Sequence, residues 1–245
     1  MELWADILGP GANNAVPAAI NVGTMNEVNA DAISVANPTW QGTPWEGSSG
    51  LAGALIGDQS MNPPAQIRIG KMNFSIPDIP SPLPTGNGIN LVGTLYHEMG
   101  HALGISSLAL VGEDDDGNPV YGFDTEISPW DRHLVDRYGV TPTTDMEVVR
   151  SEPETAPGAD PVFTVGEMTE SGVLFKGTHV SEVLAGALNG GLPIEGFEGD
   201  SLDLSHIELD RSLMSHQDYR NYQVFMEAEL AALQDIGYTI DRKNF

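Results

Sequence analysis

The chain has 245 residues, of which 40% are hydrophobic and 18% charged, a balance typical of a folded globular protein. It carries 10 Lys+Arg against 35 Asp+Glu, a formal net charge of -25, which excludes binding of nucleic acid or anionic membranes through a basic face. Cysteine is absent, which excludes disulfides, cysteine-ligated zinc and thiol catalysis. No apolar run is long enough to insert this domain into a bilayer.

The N-terminal part of the chain predicts one short helix and then short strands. Residues 3–8 predict a helix that ends at Gly9-Pro10. Residues 18–22 and 32–35 predict strands. Because a helix is already under way at residue 1 and the chain ends abruptly, we expect it to be part of a longer protein from which a leader has been removed.

The middle of the chain predicts a strand followed by the clearest helix. Residues 37–64 are rich in Gly, Pro, Ser and Asn and predict loop. Residues 66–74 largely alternate polar and apolar side chains, which predicts a strand. Residues 90–103 repeat apolar side chains at helical spacing, and Gly104 follows where a C-terminal cap belongs.

The C-terminal half predicts loops interrupted by helices. Ser128 followed by Pro129 is typical of a helix start, so we expect a helix to about Tyr138. Residues 112–124 predict an acidic loop, and residues 141–161 predict an irregular segment. Residues 180–188 predict a short helix, and residues 222–236 predict a last helix that ends at Gly237. The order of elements predicts an α+β fold. We expect one domain over residues 1–245, with an N-terminal lobe to about 104 and a C-terminal lobe from about 105.

Residues 96–104, with the sequence YHEMGHALG, carry a metal-binding pattern. Positions i and i+4 of a helix lie on one face, so His97 and His101 can point imidazole nitrogens at one ion. Zinc accepts such nitrogens, and Glu98 would lie beside the ion, where it can take a proton from zinc-bound water. The segment therefore predicts the core of a zinc hydrolase site, with Glu98 as general base.

This motif resembles that of the metzincin zinc metallopeptidases. Their pattern continues with a Gly, matched here by Gly104, and a third His, whose position is occupied by Ser107. In the leishmanolysin-like branch a long insertion precedes the third His. That resemblance implies His206 as the third ligand, after an insertion from about 105 to 205.

Two further stretches carry the same resemblance. Residues 212–215 resemble the Met-turn of metzincins, the tight turn whose methionine, here Met214, lies beneath the zinc. Residues 225–238 resemble the helix that closes these domains. The family implies a twisted mixed sheet over the active-site helix, and a sheet edge to which extended substrate adds by main-chain hydrogen bonds. Residues 66–74 are the candidate edge strand, and the alternative is an ordinary core strand.

The resemblance also covers metallopeptidase domains of exported or surface-anchored bacterial proteins. It implies a protein or peptide substrate and an extracellular or cell-surface location, and it leaves the oligomeric state open. His216 lies two residues after Met214, so it can assist the oxyanion or substrate, as can Tyr219 or Tyr222. The alternative for His216 is a solvated loop residue.

Other acidic and histidine side chains leave further possibilities open. Residues 113–118 can bind Ca2+ through clustered oxygens or form a solvated acidic turn. His133 and His179 are expected to be structural or surface residues.

Three functional hypotheses follow. The first is a zinc endopeptidase. The second is a surface adhesion domain that keeps zinc as a structural ion, although a structural site does not need Glu98. The third is a different zinc-protease clan, with Glu126 or Asp131 as third ligand.

Overall fold

The computed structural model describes residues 20–24, 30–33, 39–40, 43–44, 65–71, 74–75, 89–123, 127–150, 161–216 and 224–242. The predicted helix at 3–8 and most of the loop predicted at 37–64 lie outside the described residues, as do the candidate residues Glu126, Tyr219 and Tyr222. Within them the fold is mixed α+β, with three α-helices and several small sheets, which confirms the predicted class.

The described helices are α1 (Leu91–Ala102), α2 (Thr178–Leu184) and α3 (Glu227–Asp235). The described strands are, in chain order, β1 (Ile20–Thr24), β2 (Ala30–Ile33), β3 (Thr39–Trp40), β4 (Thr43–Pro44), β5 (Ala65–Ile69), β6 (Phe74–Ser75), β7 (Ile89–Asn90), β8 (Leu110–Glu113), β9 (Pro119–Phe123), β10 (Leu134–Val135), β11 (Met146–Val149), β12 (Phe163–Thr164), β13 (Leu174–Phe175), β14 (Leu192–Pro193), β15 (Phe197–Glu198) and β16 (Ser201–Leu202). Among these elements, α1 lies against β2 and β5, and α2 packs on α3.

The sheet beside α1 is mixed and has the order β1-β5-β2. Strand β5 runs parallel to β1 and antiparallel to β2, and its Ile67 and Ile69 are buried. Because both main-chain edges of β5 are paired, substrate cannot add to it. The prediction that residues 66–74 form the substrate edge is therefore wrong, and the alternative of a core strand is confirmed for β5.

Three segments predicted as loop contain strands, and the first of them, 37–64, includes the antiparallel pair β3-β4. Residues 112–124 belong largely to the hairpin β8-β9, and β11 lies within residues 141–161. Strand β11 pairs antiparallel with β9 and parallel with β12, which gives the four-stranded order β12-β11-β9-β8. Met146 and Val148 are buried on one face of β11, and this alternation is the signal that the prediction missed.

The predicted helix from Ser128 to about Tyr138 is wrong. Ser128 Oγ does accept from the Asp131 backbone N–H at 3.0 Å, but only a 3-10 turn, Asp131–His133, follows. The chain then extends as β10, which pairs with β13 in the sheet β10-β13-β14. Pairing across the sheet has outweighed the local start signal, because it also buries Leu134 completely.

The other two C-terminal helices are shorter than predicted. Helix α2 ends at Leu184, because Ala185 adopts a left-handed conformation with φ of 49°. Helix α3 begins at Glu227 and not at Tyr222, because the Glu229 carboxylate accepts from the Met226 backbone N–H and ends the preceding extended segment. Gly237, with φ of 121°, terminates α3 as predicted.

The hydrophobic core extends beneath the loop that carries His206. Trp130 is fully buried, and its ring centroid lies 4.3 Å from that of Phe175. The indole Nε1–H of Trp130 donates to the Leu204 carbonyl at 2.8 Å, so the core holds the chain two residues before His206. No helix in the described parts of the chain is long and apolar enough to span a membrane.

Candidate metal centre

Helix α1 places His97 and His101 side by side. Asn90 caps the helix, because its Oδ1 accepts from the Val92 N–H at 3.0 Å. At the other end Gly104 has φ of 108°, a conformation that favours glycine. The intervening helix is regular, so residues four apart share a face, and the Nε2 atoms of His97 and His101 are 3.0 Å apart.

His206 comes to this pair from 105 residues after His101. Its Nε2 lies 3.2 Å from that of His101 and 3.3 Å from that of His97. The ring planes of His97 and His206 are nearly parallel, and His101 is edge-on to both. The three side chains form a group that could hold a metal ion.

The second nitrogen of each ring identifies the tautomer. The Nδ1 atoms of His97 and His101 lie 2.7 and 2.8 Å from the backbone carbonyls of Leu213 and Ile105. The Nδ1 of His206 lies 2.6 Å from Asp203 Oδ2. Carbonyl and carboxylate oxygens only accept hydrogen bonds, so we assign the hydrogen to each Nδ1. In the neutral rings each Nε2 then carries a lone pair.

Three such lone pairs meet in one place. With all three rings neutral, these acceptor atoms cannot hydrogen-bond with one another at 3.0–3.3 Å, whereas a metal ion can bind all three lone pairs at once. Metal-binding histidines donate their other N–H to a carbonyl or carboxylate in this way. The residues present therefore fit a metal ion bound through three Nε2 atoms.

Electrostatics keep two of the three rings neutral. Burial and the neighbouring histidines lower the pKa of His97 well below its ordinary value. Burial and His206 likewise lower the pKa of His101 to about 4. Burial also acts to lower the pKa of His206, but the hydrogen bond to Asp203 and the Asp203 charge outweigh it, so this pKa is raised. Neutral imidazoles at His97 and His101 are ready to bind metal near pH 7.

Asp203 is a functional candidate that the sequence analysis missed. Burial acts to raise the pKa of Asp203, but the hydrogen bond from His206 and the charge of that ring lower it to about 2. Its carboxylate therefore orients His206 and increases the basicity of the ligand nitrogen. The available signal was an Asp three residues before a candidate ligand, a weak pattern by itself.

The loop around His206 is attached to several other segments. Ser205 Oγ accepts from the Ser107 N–H at 3.0 Å, and the His206 carbonyl accepts from the Glu195 N–H at 3.1 Å. Ser107 occupies the position of the nearby third histidine in the compact pattern. In this chain, its backbone instead ties the end of the α1 segment to the residue before His206.

The turn at residues 212–215 lies against the same helix. Met214 is fully buried, and a Cβ added at Gly100 would lie 2.3 Å from its Sδ atom. Gly100 stands between His97 and His101, so Met214 packs against α1 close to the ligands. Glu229 of α3 supports the turn, because its Oε1 accepts from the Ser212 hydroxyl at 2.6 Å and from the Met214 N–H at 3.0 Å.

Glu98 is buried on α1, with 3% of its surface exposed. Burial acts to lower the pKa of His206, and the charge of Glu98 is among the contributions that raise it, so Glu98 lies within electrostatic range of that ring. His216 also lies close by, with its ring centroid 5.1 Å from that of His206 and 42% of its side chain exposed. Its expected part in oxyanion binding stays a prediction.

The other candidate ligands lie elsewhere. Asp131 is buried, but its Oδ2 accepts from the backbone N–H groups of Leu108 and Ser128 at 3.0 and 2.9 Å, and it does not join the histidines. His133 packs against Phe175, and the half-buried His179 lies near Glu182. In the acidic turn, Asp114 Oδ1 accepts from the backbone N–H groups of Asp116 and Asn118, so that carboxylate is engaged within its own turn.

Comparison with protein-family models, with curated proteins and with solved structures found no match for this chain. A functional proposal therefore depends on the residues of the site. Those residues are three histidines with converging Nε2 atoms, a buried glutamate on the same helix and a buried methionine turn.

Proposed function

We propose that the chain is a zinc-dependent endopeptidase. The observation that carries the proposal is the convergence of the Nε2 atoms of His97, His101 and His206, each held by a hydrogen bond at Nδ1. Three imidazoles are a frequent ligand set of catalytic zinc, which keeps a fourth position for water or substrate. All-imidazole ligation favours zinc over calcium or magnesium, which prefer oxygen.

Zinc bound there would polarise a peptide carbonyl and make water a stronger acid. Glu98 performs the proton transfer: its carboxylate accepts a proton from the attacking water and passes it to the departing amine. The near-complete burial of Glu98 strengthens its interaction with the cationic centre, since water screens the charges less there. His97 and His101 stay fixed because helix α1 carries both rings.

The family assignment forms part of the same proposal. The order of His97, Glu98 and His101, then His206, then Met214 supports a metzincin peptidase of the leishmanolysin-like type. The packing of Met214 against Gly100 supports it further, because it places a buried methionine against the helix that carries two ligands. We extend the proposal to an exported bacterial protein that acts on peptides outside the cell.

Replacement of the general base tests the proposal. We expect Glu98→Gln to bind zinc as the unmodified protein does and to cleave a fluorogenic peptide library about 10²–10⁴-fold more slowly, the usual contribution of a general base. The control is Glu113→Gln, which removes an exposed carboxylate outside the site.

Two results would contradict the proposal. Cleavage by Glu98→Gln at the unmodified rate would exclude the general-base role. A zinc-loaded, folded protein that cleaves no peptide in the library would favour the adhesion domain with a structural ion.

A further inference from the structure

A second group of metal-binding side chains lies next to the three histidines. Glu195, Asp203 and His216 each offer a ligand atom, and these atoms lie within 4.8 Å of one another. The three residues come from separate segments: Glu195 follows β14, Asp203 follows β16, and His216 follows the turn that contains Met214. None of them belongs to the ligand set proposed for the catalytic ion.

Glu195 has an unsatisfied oxygen in this group. Its side chain is fully buried, and its Oε1 accepts from the His216 backbone N–H at 3.1 Å. Its Oε2 is buried and has no hydrogen-bond partner among the described residues. A buried carboxylate oxygen without a partner is unfavourable, because the group has lost its hydration without gaining another contact. The carboxyl can avoid this cost by protonation, because burial raises the pKa of Glu195 to about 8, or by binding a cation that displaces the proton.

The His216 ring does not supply that partner. Its Nδ1 is 3.6 Å from Glu195 Oε2 and 3.9 Å from Glu198 Oε2, and both distances exceed a normal hydrogen bond. The atoms converge without bonding, at separations that an ion bonded to both could bridge. A metal at that point would bond to both the carboxylate and the imidazole.

The charge around the group also favours a cation. Four carboxylates face it, those of Glu195, Glu198, Asp203 and Glu208, together with the rings of His206 and His216. In the described part of the chain, the ion pairs of Glu195, Glu198 and Asp203 are made with histidines. A dication would offset the charge of the ionised carboxylates and displace the proton from Glu195, whose pKa burial raises to about 8.

We propose that Glu195, Asp203 and His216 bind a second zinc ion. Two carboxylate oxygens and one imidazole nitrogen suit zinc, whereas calcium and magnesium prefer oxygen ligands throughout. Zinc bonds of about 2.0–2.2 Å allow ligand atoms as much as about 4 Å apart, so a small inward movement closes the site. His216 then has a binding role in place of the oxyanion role.

The second ion would support the first centre. Asp203 accepts from His206 Nδ1 at 2.6 Å and from the Ser205 N–H at 3.0 Å, so its carboxylate would link His206 to the second zinc. The ion would also join the segments before and after His206 through Glu195 and His216. Its role is therefore to hold the loop that delivers the third ligand.

Metal counting tests the second site independently of catalysis. After equilibrium dialysis against buffered free zinc, mass spectrometry of the bound metal is expected to give two equivalents for the unmodified protein. Glu195→Gln and His101→Asn are each expected to retain one, and the double variant none. The control Asp200→Asn removes an exposed carboxylate nearby and is expected to retain two.

Loss of folding in Glu195→Gln is checked by circular dichroism and by a second variant, His216→Gln, which alters a partly exposed ligand and is also expected to lose one equivalent. One equivalent in the unmodified protein would overturn the proposal. So would two equivalents in both Glu195→Gln and His216→Gln. If the unmodified protein binds a single equivalent that Glu195→Gln keeps and His101→Asn loses, the second site is excluded and the proposed catalytic site is retained.

Discussion

The candidate metal centre is assembled in two different ways. His97 and His101 are placed by one helix, in which four-residue spacing is sufficient to bring their Nε2 atoms within 3.0 Å. His206 is placed by contacts among distant segments, through Asp203, Ser107 and the indole of Trp130. Two of the proposed ligands are therefore encoded locally, whereas the third depends on the tertiary fold. The two parts should respond differently to mutation.

The largest effect is expected for loss of a ligand from either part. His101→Asn and His206→Asn should each weaken zinc binding at the first centre by more than about 100-fold, the upper range for loss of an outer-shell partner. Competition with a zinc chelator measures the affinity, with Glu195→Gln as the common background so that only this centre is counted. His133→Asn is the control. Unchanged zinc affinity in His206→Asn would show that His206 is not a ligand of this centre.

Asp203→Asn tests the hydrogen bond that orients the distant ligand. It keeps the shape of the side chain but removes the charge that His206 Nδ1–H contacts, so zinc affinity should fall by about 10–100-fold. The same chelator competition in the Glu195→Gln background measures it. Asp210→Asn, which removes an exposed charge from the same loop, should have no effect. Equal affinity in the two variants would show that the carboxylate does not orient His206.

Gly100→Ala tests the packing of Met214 against helix α1. The added Cβ would lie 2.3 Å from Met214 Sδ, so the buried methionine must move, and the free energy of unfolding should fall by about 1–3 kcal/mol. Chemical denaturation measures this value. Combination with Met214→Ala should recover part of the loss, because the clash then disappears. Strict additivity of the two substitutions would contradict the contact.

The smallest effect concerns Glu229, which supports the turn from α3. Burial raises its pKa to about 6, despite the hydrogen bonds from Ser212 and Met214 that act to lower it. The stabilisation from protonated Glu229 is therefore complete below about pH 4.5 and is lost as pH rises through about 6. Relative to Glu229→Gln, the free energy of unfolding should fall by at most about 2 kcal/mol across this range.

Denaturation of both proteins between pH 4 and 7 measures that difference. Glu227→Gln, an exposed carboxylate on the same helix, should show no such dependence. If the difference in the free energy of unfolding between the unmodified protein and Glu229→Gln does not change with pH, the burial of Glu229 does not alter its titration.

The sequence predictions were more accurate for features set within one segment than for features set by contacts between distant segments. Helix α1 and its His97, Glu98 and His101 were predictable, because spacing and caps act within one segment. His206 was expected only from a resemblance to a known family, since no local pattern brings a residue to a site from 105 positions away. Asp203 and Glu229 were missed because their roles appear only when separate segments meet.

The errors in secondary structure have a related cause. The Ser128-Pro129 start signal is real, but tertiary pairing of β10 with β13 ends the helix after one turn. Strand β5 was recognised by its alternation, yet its central position depends on β1 and β2. Local sequence predicts that a strand exists more readily than it predicts the neighbours of that strand.

Diffraction from zinc-loaded crystals at the zinc absorption edge tests the central claim most directly. An anomalous peak is predicted about 2.0–2.1 Å from the Nε2 atoms of His97, His101 and His206, with Glu98 outside bonding distance and a fourth position open to water. A peak bonded to a fourth protein side chain, or no zinc at these three nitrogens, would contradict it.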